Sequence, residues 1–338
     1  MNKRTGKQTL LLPTAPTAFG WAGVVGEKEG QGPLRACFDV ISEDSRFGEK
    51  TWEKAESRML RTCFELACSK GGVAPGELDA VFSGDLLNQC ISSAFAMKDS
   101  RLPYLGLYGA CSTMAEGLAL AALLVDGGYA RAAGAVTGSH FCSAERQYRY
   151  PLEYGGTRPP TAQWTVTGAG AVLLRPGGAG PKVTHVTFGR IVDAGIKDAN
   201  DMGAAMAPAA YDTIRAHLAD TSRSPQDYDA IFTGDLGALG RDLLQRLFRQ
   251  DGVELDCRLM DCGVLLFDRN TQGVNAGGSG CGCSASVLGA HILRGMENGV
   301  WRRVLFAATG ALMSPLTAQQ GSSIPGVCHA VAIEYGEG

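Results

Sequence analysis

The stretch GACSTMAEG, residues 109–117, sets a cysteine between Gly-Ala and Ser-Thr at the head of a long run of small and apolar residues. At a helix start, Cys111 meets the free backbone N–H groups of the first turn and the positive end of the helix dipole. That setting lowers a thiol pKa, and it equally favours a bound carboxylate. Two chemistries suit such a residue: covalent attack on an acyl group, or lining a pocket for an acidic ligand. A third reading gives it no chemistry, as a buried structural thiol of the kind expected at Cys283.

Other residues have chemistry of their own. Asp193, in IVDAGIKD, is a lone carboxylate after an apolar strand. It could hold calcium brought by a chelating ligand, accept a hydrogen bond from a protonated one, or simply cap a turn. Asp198 and Asp201 read as loop carboxylates. His140 follows the strand end VTGS, and the C-terminal ends of parallel strands commonly face ligands; the alternative is a histidine hydrogen-bonded within its loop. Arg146 and Arg149, in ERQYRY, carry guanidinium forks that match a dicarboxylate, or they pack at a subunit interface. His329, on the last strand, faces the same cavity or packs within the sheet. His185, His217 and His291 read as surface or packing residues.

Two further patterns lead nowhere. Cys281 and Cys283 form a C-x-C with no second pair at zinc spacing, so no metal site is expected. The loop NAGGSGCGCS (275–284) lacks the Lys-Ser/Thr of a phosphate-binding loop and the dinucleotide-binding glycine pattern.

The elements that must position these residues occur twice. LDAVFSGDLLNQ (78–89) matches YDAIFTGDLGAL (228–239), and the segment 111–139 matches 283–311, with Cys111 aligned to Cys283, Gly117 to Gly289, Arg131 to Arg303 and Gly138 to Gly310. GAGAVLL (168–174) matches VCHAVAI (327–333) in the same order, so the chain is a tandem duplication. The halves are taken as 1–180 and 181–338. Each reads as an outer helix (about 51–70 and 204–219), a short strand (DAVF or DAIF), a helix from the paired cysteine, and two closing strands. Short apolar strands bounded by Gly and Asp suggest parallel pairing covered on both faces. The helix 112–125 is apolar or small nearly all round and must be buried. Central helices between two sheets make an α/β, five-layer α-β-α-β-α sandwich.

Composition narrows the function class. With 45% hydrophobic and 19% charged residues the chain is globular, and 46 glycines fit tight turns in an α/β protein. A net charge of −3 without a basic run argues against a nucleic-acid partner. Eleven cysteines in apolar contexts read as buried thiols in a reducing compartment. The basic, apolar N-terminus is broken by Pro13 and Pro16, and it reads as a first strand rather than a signal peptide. No stretch has membrane-spanning length, so a soluble chain is expected.

Taken together, GACST (109–113), AERQYRYPLEYGG (144–156), GIKDANDMGAAMAPAA (195–210), GGSGCGCSAS (277–286) and ATGALMSP (308–315) resemble the stage V sporulation protein AD family, a branch of the thiolase superfamily. The likeness runs from about residue 5 to 335. It implies a thiolase-like fold and a homodimer in the manner of that superfamily. It also implies binding of dipicolinic acid (pyridine-2,6-dicarboxylic acid), with or without calcium and with no other cofactor, for its transport into the developing spore. The partners implied are the membrane-embedded SpoVA proteins, which place the chain peripherally at the spore inner membrane. Asp193 matches a ligand-site aspartate of that family; with Cys111, His140, Arg149 and His329 it makes the expected ligand-binding set.

Condensing enzymes of the superfamily pair the nucleophilic cysteine with two polar groups, His with His or Asn. At the corresponding turns this chain has TGDLG (233–237), with Asp235, and GGSGCGC (277–283), neither containing His or Asn. A non-catalytic pseudoenzyme is therefore expected. The rivals are an acyltransferase using Cys111 as its nucleophile and a scaffold with an empty pocket.

Overall fold

The computed structural model describes residues 3–148, 158–255 and 258–336. The first run of elements is β1 (Thr9–Leu11), β2 (Thr17–Gly26), β3 (Val40–Ser42), α1 (Trp52–Gly71), β4 (Ala80–Gly84), α2 (Ile91–Met97), β5 (Tyr104–Gly106), α3 (Thr113–Asp126), β6 (Ala133–Ser139), α4 (Phe141–Tyr148), β7 (Trp164–Thr165) and β8 (Gly168–Arg175). The second is β9 (Gly180–Phe188), α5 (Met202–Thr221), β10 (Ala230–Thr233), α6 (Gly237–Gln250), β11 (Leu259–Asp261), β12 (Gly278–Ser279), α7 (Cys281–Val287), β13 (Arg303–Ala311) and β14 (Gly326–Gly336). Beyond Val287 the chain of α7 passes through a π turn, Leu288–Ile292, into a last helical stretch, Leu293–Glu297.

The main strands lie in the order β11-β10-β13-β14-β9-β2-β8-β6-β4-β5. Thr17 opposite Lys182 is the pairing that joins β2 to β9. On either side of that junction the same pattern recurs. β2–β8 and β8–β6 are antiparallel, and β6–β4 and β4–β5 parallel. β9–β14 and β14–β13 are antiparallel, and β13–β10 and β10–β11 parallel. The repeat seen in the sequence is thus a repeat of strand order and direction. Its parallel pairing is only partial. β13 returns to β14 through a connection of 14 residues with one short helix, Pro315–Gln319, and the two strands run antiparallel.

Repeated residues do repeated work at the strand starts. Asp79 accepts from the Arg131 backbone at 2.6 Å and pairs with its side chain at 2.8 Å. Asp229 accepts from the backbone of Arg302 and Arg303 at 2.7 and 2.9 Å. Each aspartate ties the start of its strand to that of the parallel neighbour.

Three apolar layers hold the elements together. In the middle, Met114, Leu118 and Ala122 of α3 pack with Val287, Leu288 and Ile292 between the sheets. Outside the first sheet, Met59, Leu60, Cys63 and Phe64 of α1 cover Val24, Ala171 and Leu173. Outside the second, Met206, Ala210 and Ile214 of α5 cover Leu305, Ala307 and Ala330. This is the α-β-α-β-α sandwich. Its central layer needs small residues: a Cβ on Gly170 of β8 would lie 1.9 Å from the Ala285 carbonyl of α7.

α3 spans Thr113–Asp126, shifted by one residue toward the C-terminus from the expected 112–125, and buries residues all round. The second central helix starts at Cys281 rather than Cys283, so Cys283 lies within its first turn, fully buried.

Candidate functional site

Cys111 stands on a single 3-10 turn, Ala110–Ser112, that leads into α3. The turn is held by its own small polar residues. The Gly109 N–H donates to Thr113 Oγ1 at 3.1 Å, Ser112 Oγ donates to the Gly109 carbonyl at 2.7 Å, and Thr113 Oγ1 donates to the Ala110 carbonyl at 2.7 Å. Ala110 takes φ +50°, in the left-handed region that costs an alanine about 1 kcal/mol or more. Such strain persists where surrounding structure enforces it. Here β13 presses on the turn, and a Cβ on Gly310 would lie 2.3 Å from the Gly109 carbonyl.

Opposite the thiol is Asp235, from the turn after β10, with no exposed surface. Its carboxyl accepts from the Gly280 N–H at 2.9 Å, Ser279 Oγ at 3.2 Å and Thr309 Oγ1 at 3.1 Å. Its backbone carbonyl accepts from Gln163 Nε2 at 2.6 Å. Burial pushes the carboxyl up to about 7, against the pull of the hydrogen bonds it receives from Cys111 and Gly280. The thiol is driven the same way. Burial first, then the charge of Asp235 and a hydrogen bond to it, hold Cys111 well above the ordinary thiol value. The expectation of a lowered thiol pKa is therefore corrected. The helix start is present, but desolvation and a facing carboxylate outweigh a partial charge equivalent to roughly half an elementary unit.

Cys111 lies on a cavity of about 600 Å³, its open mouth included. Leu86, Ala144, Met202, Met206, Ala311 and Met313 make the apolar lining, and Tyr108, Tyr148, Glu145, Thr165 and Ser279 the polar one. Met202 and Met206 come from the start of α5, whose N-cap Asp201 accepts from the Ala204 N–H at 3.1 Å. Tyr148 ends α4, and its hydroxyl donates to the Leu86 carbonyl at 2.8 Å while touching the Tyr108 hydroxyl. Glu145 accepts from Thr165 Oγ1 at 2.9 Å and pairs with Arg158 at 3.0 Å. The Arg158 guanidinium in turn lies over the Trp164 and Phe141 rings. Among the described residues, no histidine, lysine or arginine lines this cavity.

Among the described residues expected to bind ligand, Cys111 lines the cavity, and Asp193, His140 and His329 do not. Asp193 is exposed on the loop before α5. It accepts from the Gly195 N–H at 2.9 Å and Ser323 Oγ at 2.5 Å, and these bonds hold its carboxyl below the usual value. His140 is buried at the end of β6, its Nε2 bonded to the Ser45 carbonyl at 2.7 Å and its Nδ1 accepting from the Cys142 N–H at 3.1 Å. Burial depresses its pKa, as does the burial of His329, brought down to about 4. His329 Nδ1 accepts from the Gly189 N–H at 3.3 Å and its ring meets Phe188. Arg149 lies outside the described residues, and Arg146 pairs with Glu53 away from the cavity lining. Strand-end position alone did not bring these groups together, because each turns into its own loop or sheet.

Of the polar lining that sequence reasoning passed over, Tyr148, Glu145 and Ser279 had a signal, whereas Tyr108 and Thr165 lie outside the motifs. Glu145 and Tyr148 fall within 144–156, Met202 and Met206 within 195–210, and Met313 within 308–315, all stretches that carried the family resemblance. Among the described residues, no group of three or more His, Cys, Asp or Glu side chains is placed to hold a metal ion.

Comparison with known proteins follows this geometry. A family profile described as Stage V sporulation protein AD matches residues 6–334. The chain is 42% identical to the stage V sporulation protein AD of Bacillus subtilis (strain 168), over 99% of both chains. Among solved structures it is similar to 3-oxoacyl-[acyl-carrier-protein] synthase III from Aquifex aeolicus, with a TM-score of 0.58 and 12% identity over 95% of this chain and 100% of that one. It is also similar to cerulenin-bound OleA from Xanthomonas campestris, with a TM-score of 0.61 and 13% identity over 99% and 100%. At these identities the structural likeness establishes a thiolase-like fold.

Proposed function

Because this chain belongs to the stage V sporulation protein AD family, we propose that it is a thiolase-fold pseudoenzyme that binds dipicolinic acid in the cavity before Cys111. It does so, alone or with chelated calcium, for transport into the developing spore. The observation that carries this reading is the pairing of Cys111 with Asp235. A nucleophile must lose its proton, and here both burial and the facing carboxylate oppose that loss. A condensing enzyme also needs donors where negative charge develops, and a carboxyl is the wrong group for that task when ionised. A cavity of hydroxyls, thioethers and the Arg158-paired Glu145 carboxyl remains, of a size for a small planar acid.

The ligand carried is an acid, and Asp235 adds a condition. Held up to about 7, its carboxyl is largely neutral below that pH and can stand near a bound anion. The membrane-embedded SpoVA proteins are the partners in this reading, with the chain peripheral at the spore inner membrane. Among the described residues no helix is long and apolar enough to cross a membrane. Homodimers form through the free edge of β5, around which Ile91, Phe95 and Leu105 are exposed.

The test is equilibrium titration of the purified protein with dipicolinic acid, with and without calcium, beside Cys111→Ala and Asp193→Ala. Saturable binding lost in Cys111→Ala and kept in Asp193→Ala supports the cavity. Loss confined to Asp193→Ala moves the ligand to the loop before α5. No binding to the parent protein, together with acylation of Cys111 by an acyl-coenzyme A in intact mass spectra, replaces this reading with an acyltransferase.

A further inference from the structure

The cavity has a chemically mixed lining, and its tyrosine hydroxyls are short of a good acceptor. Its lining includes the thioethers of Met202, Met206 and Met313. Methionine side chains adapt to flat surfaces and make favourable contacts with aromatic rings. Tyr108 and Tyr148 also line it and bring their hydroxyls together. The two phenols have two protons to place. Tyr148 donates to the Leu86 carbonyl at 2.8 Å. That carbonyl is 3.4 Å from the Tyr108 hydroxyl, beyond the usual O–H···O range. The Tyr108 proton is thus left to the neutral oxygen of Tyr148, which is a far weaker acceptor than a carboxylate. Burial raises the pKa of both phenols, so each keeps its proton at neutral pH. Tyr108 is also 44% exposed and lines the cavity, so an incoming group can reach it.

Resting on the reading that this cavity binds a pyridine dicarboxylate, we infer that Tyr108 is the specificity-determining residue for the second carboxylate. The ring lies against the methionines, one carboxylate sits at the Cys111 end, and the other takes the Tyr108 proton from Tyr148. The cavity thereby distinguishes a planar diacid from a monoacid of the same ring. Tyr148 stays bonded to Leu86 and serves to hold Tyr108 in place until the ligand arrives.

The experiment is calorimetric titration of the full chain and of Tyr108→Phe with pyridine-2,6-dicarboxylate and with pyridine-2-carboxylate. Thermal melts confirm that the variant folds. The parent chain should prefer the diacid. Tyr108→Phe should weaken diacid binding about tenfold or more, the cost of removing a hydrogen bond to a charged group. It should leave monoacid binding within about twofold, so that the preference collapses. Equal weakening of both acids, or an unchanged diacid affinity, overturns the role of Tyr108 while leaving the cavity as the binding site. Failure of the parent chain to bind either acid overturns the underlying reading as well.

Discussion

A cysteine can be ready to react or held inert, and the neighbour that decides is rarely adjacent in sequence. Cys111 and Asp235 belong to opposite halves of the chain, yet the carboxyl faces the thiol and both are desolvated. Iodoacetamide should therefore modify Cys111 slowly at pH 8. Asp235→Asn removes the opposing charge and should speed that modification several-fold, read by peptide mass at residue 111. No acceleration would mean that burial alone keeps the thiol protonated. The candidate site was half legible at this scale. Cys111 and Asp235 stood out from residue type and context, whereas His140 and His329 were named for standing on strands. A ring nitrogen already bonded to a backbone group, as both have, cannot be read from a one-dimensional pattern.

Elements show the duplication more clearly than residues do. α1 and α5 are each 20 residues long, and both end on a left-handed cap, at Gly72 and Ser222. Phe64, on α1, is 1% exposed and packs under the first sheet. Phe64→Ala should cost about 3–5 kcal/mol in urea unfolding, since a cavity is left where the sheet cannot collapse. A loss below about 1 kcal/mol would mean that the outer layer repacks freely. At the opposite edge, β5 is short and terminal in the sheet order. Sedimentation should find a dimer, and Leu105→Asp, which puts a charge on that edge, should give a monomer with the parent's melting temperature. A dimer surviving the substitution would place the contact elsewhere.

Over the whole molecule, buried carboxyls set a pH dependence. Asp235 and Glu29 are both fully buried and raised to about 7, from ordinary values of 3.8 and 4.5. Burial is the leading cause for each, with hydrogen bonds pulling the other way. The folded chain then holds these protons more tightly than the unfolded chain does. The penalty is absent below the unfolded values, grows as pH rises from about 4 to about 7, and is complete above that. Melting temperature should fall between pH 5.5 and 8. The fall should be smaller in Asp235→Asn with Glu29→Gln, measured by calorimetry across that range. A double variant with the parent's slope would assign the dependence to other groups. Glu56 and Asp85 are further buried carboxyls whose pKa values are raised mainly by burial.

By itself the sequence determined the buried central helix, the thiolase-like sandwich and the family to which the chain belongs. These are carried by periodicity, small residues and long motifs, which depend on local order along the chain. The tertiary structure decided what surrounds Cys111. Asp235, Ser279, Tyr108 and the methionines arrive there from separate segments, and the thiol's state follows from burial and a facing charge. Desolvation depends on which surfaces close over a group, and that is settled only when both halves pack together.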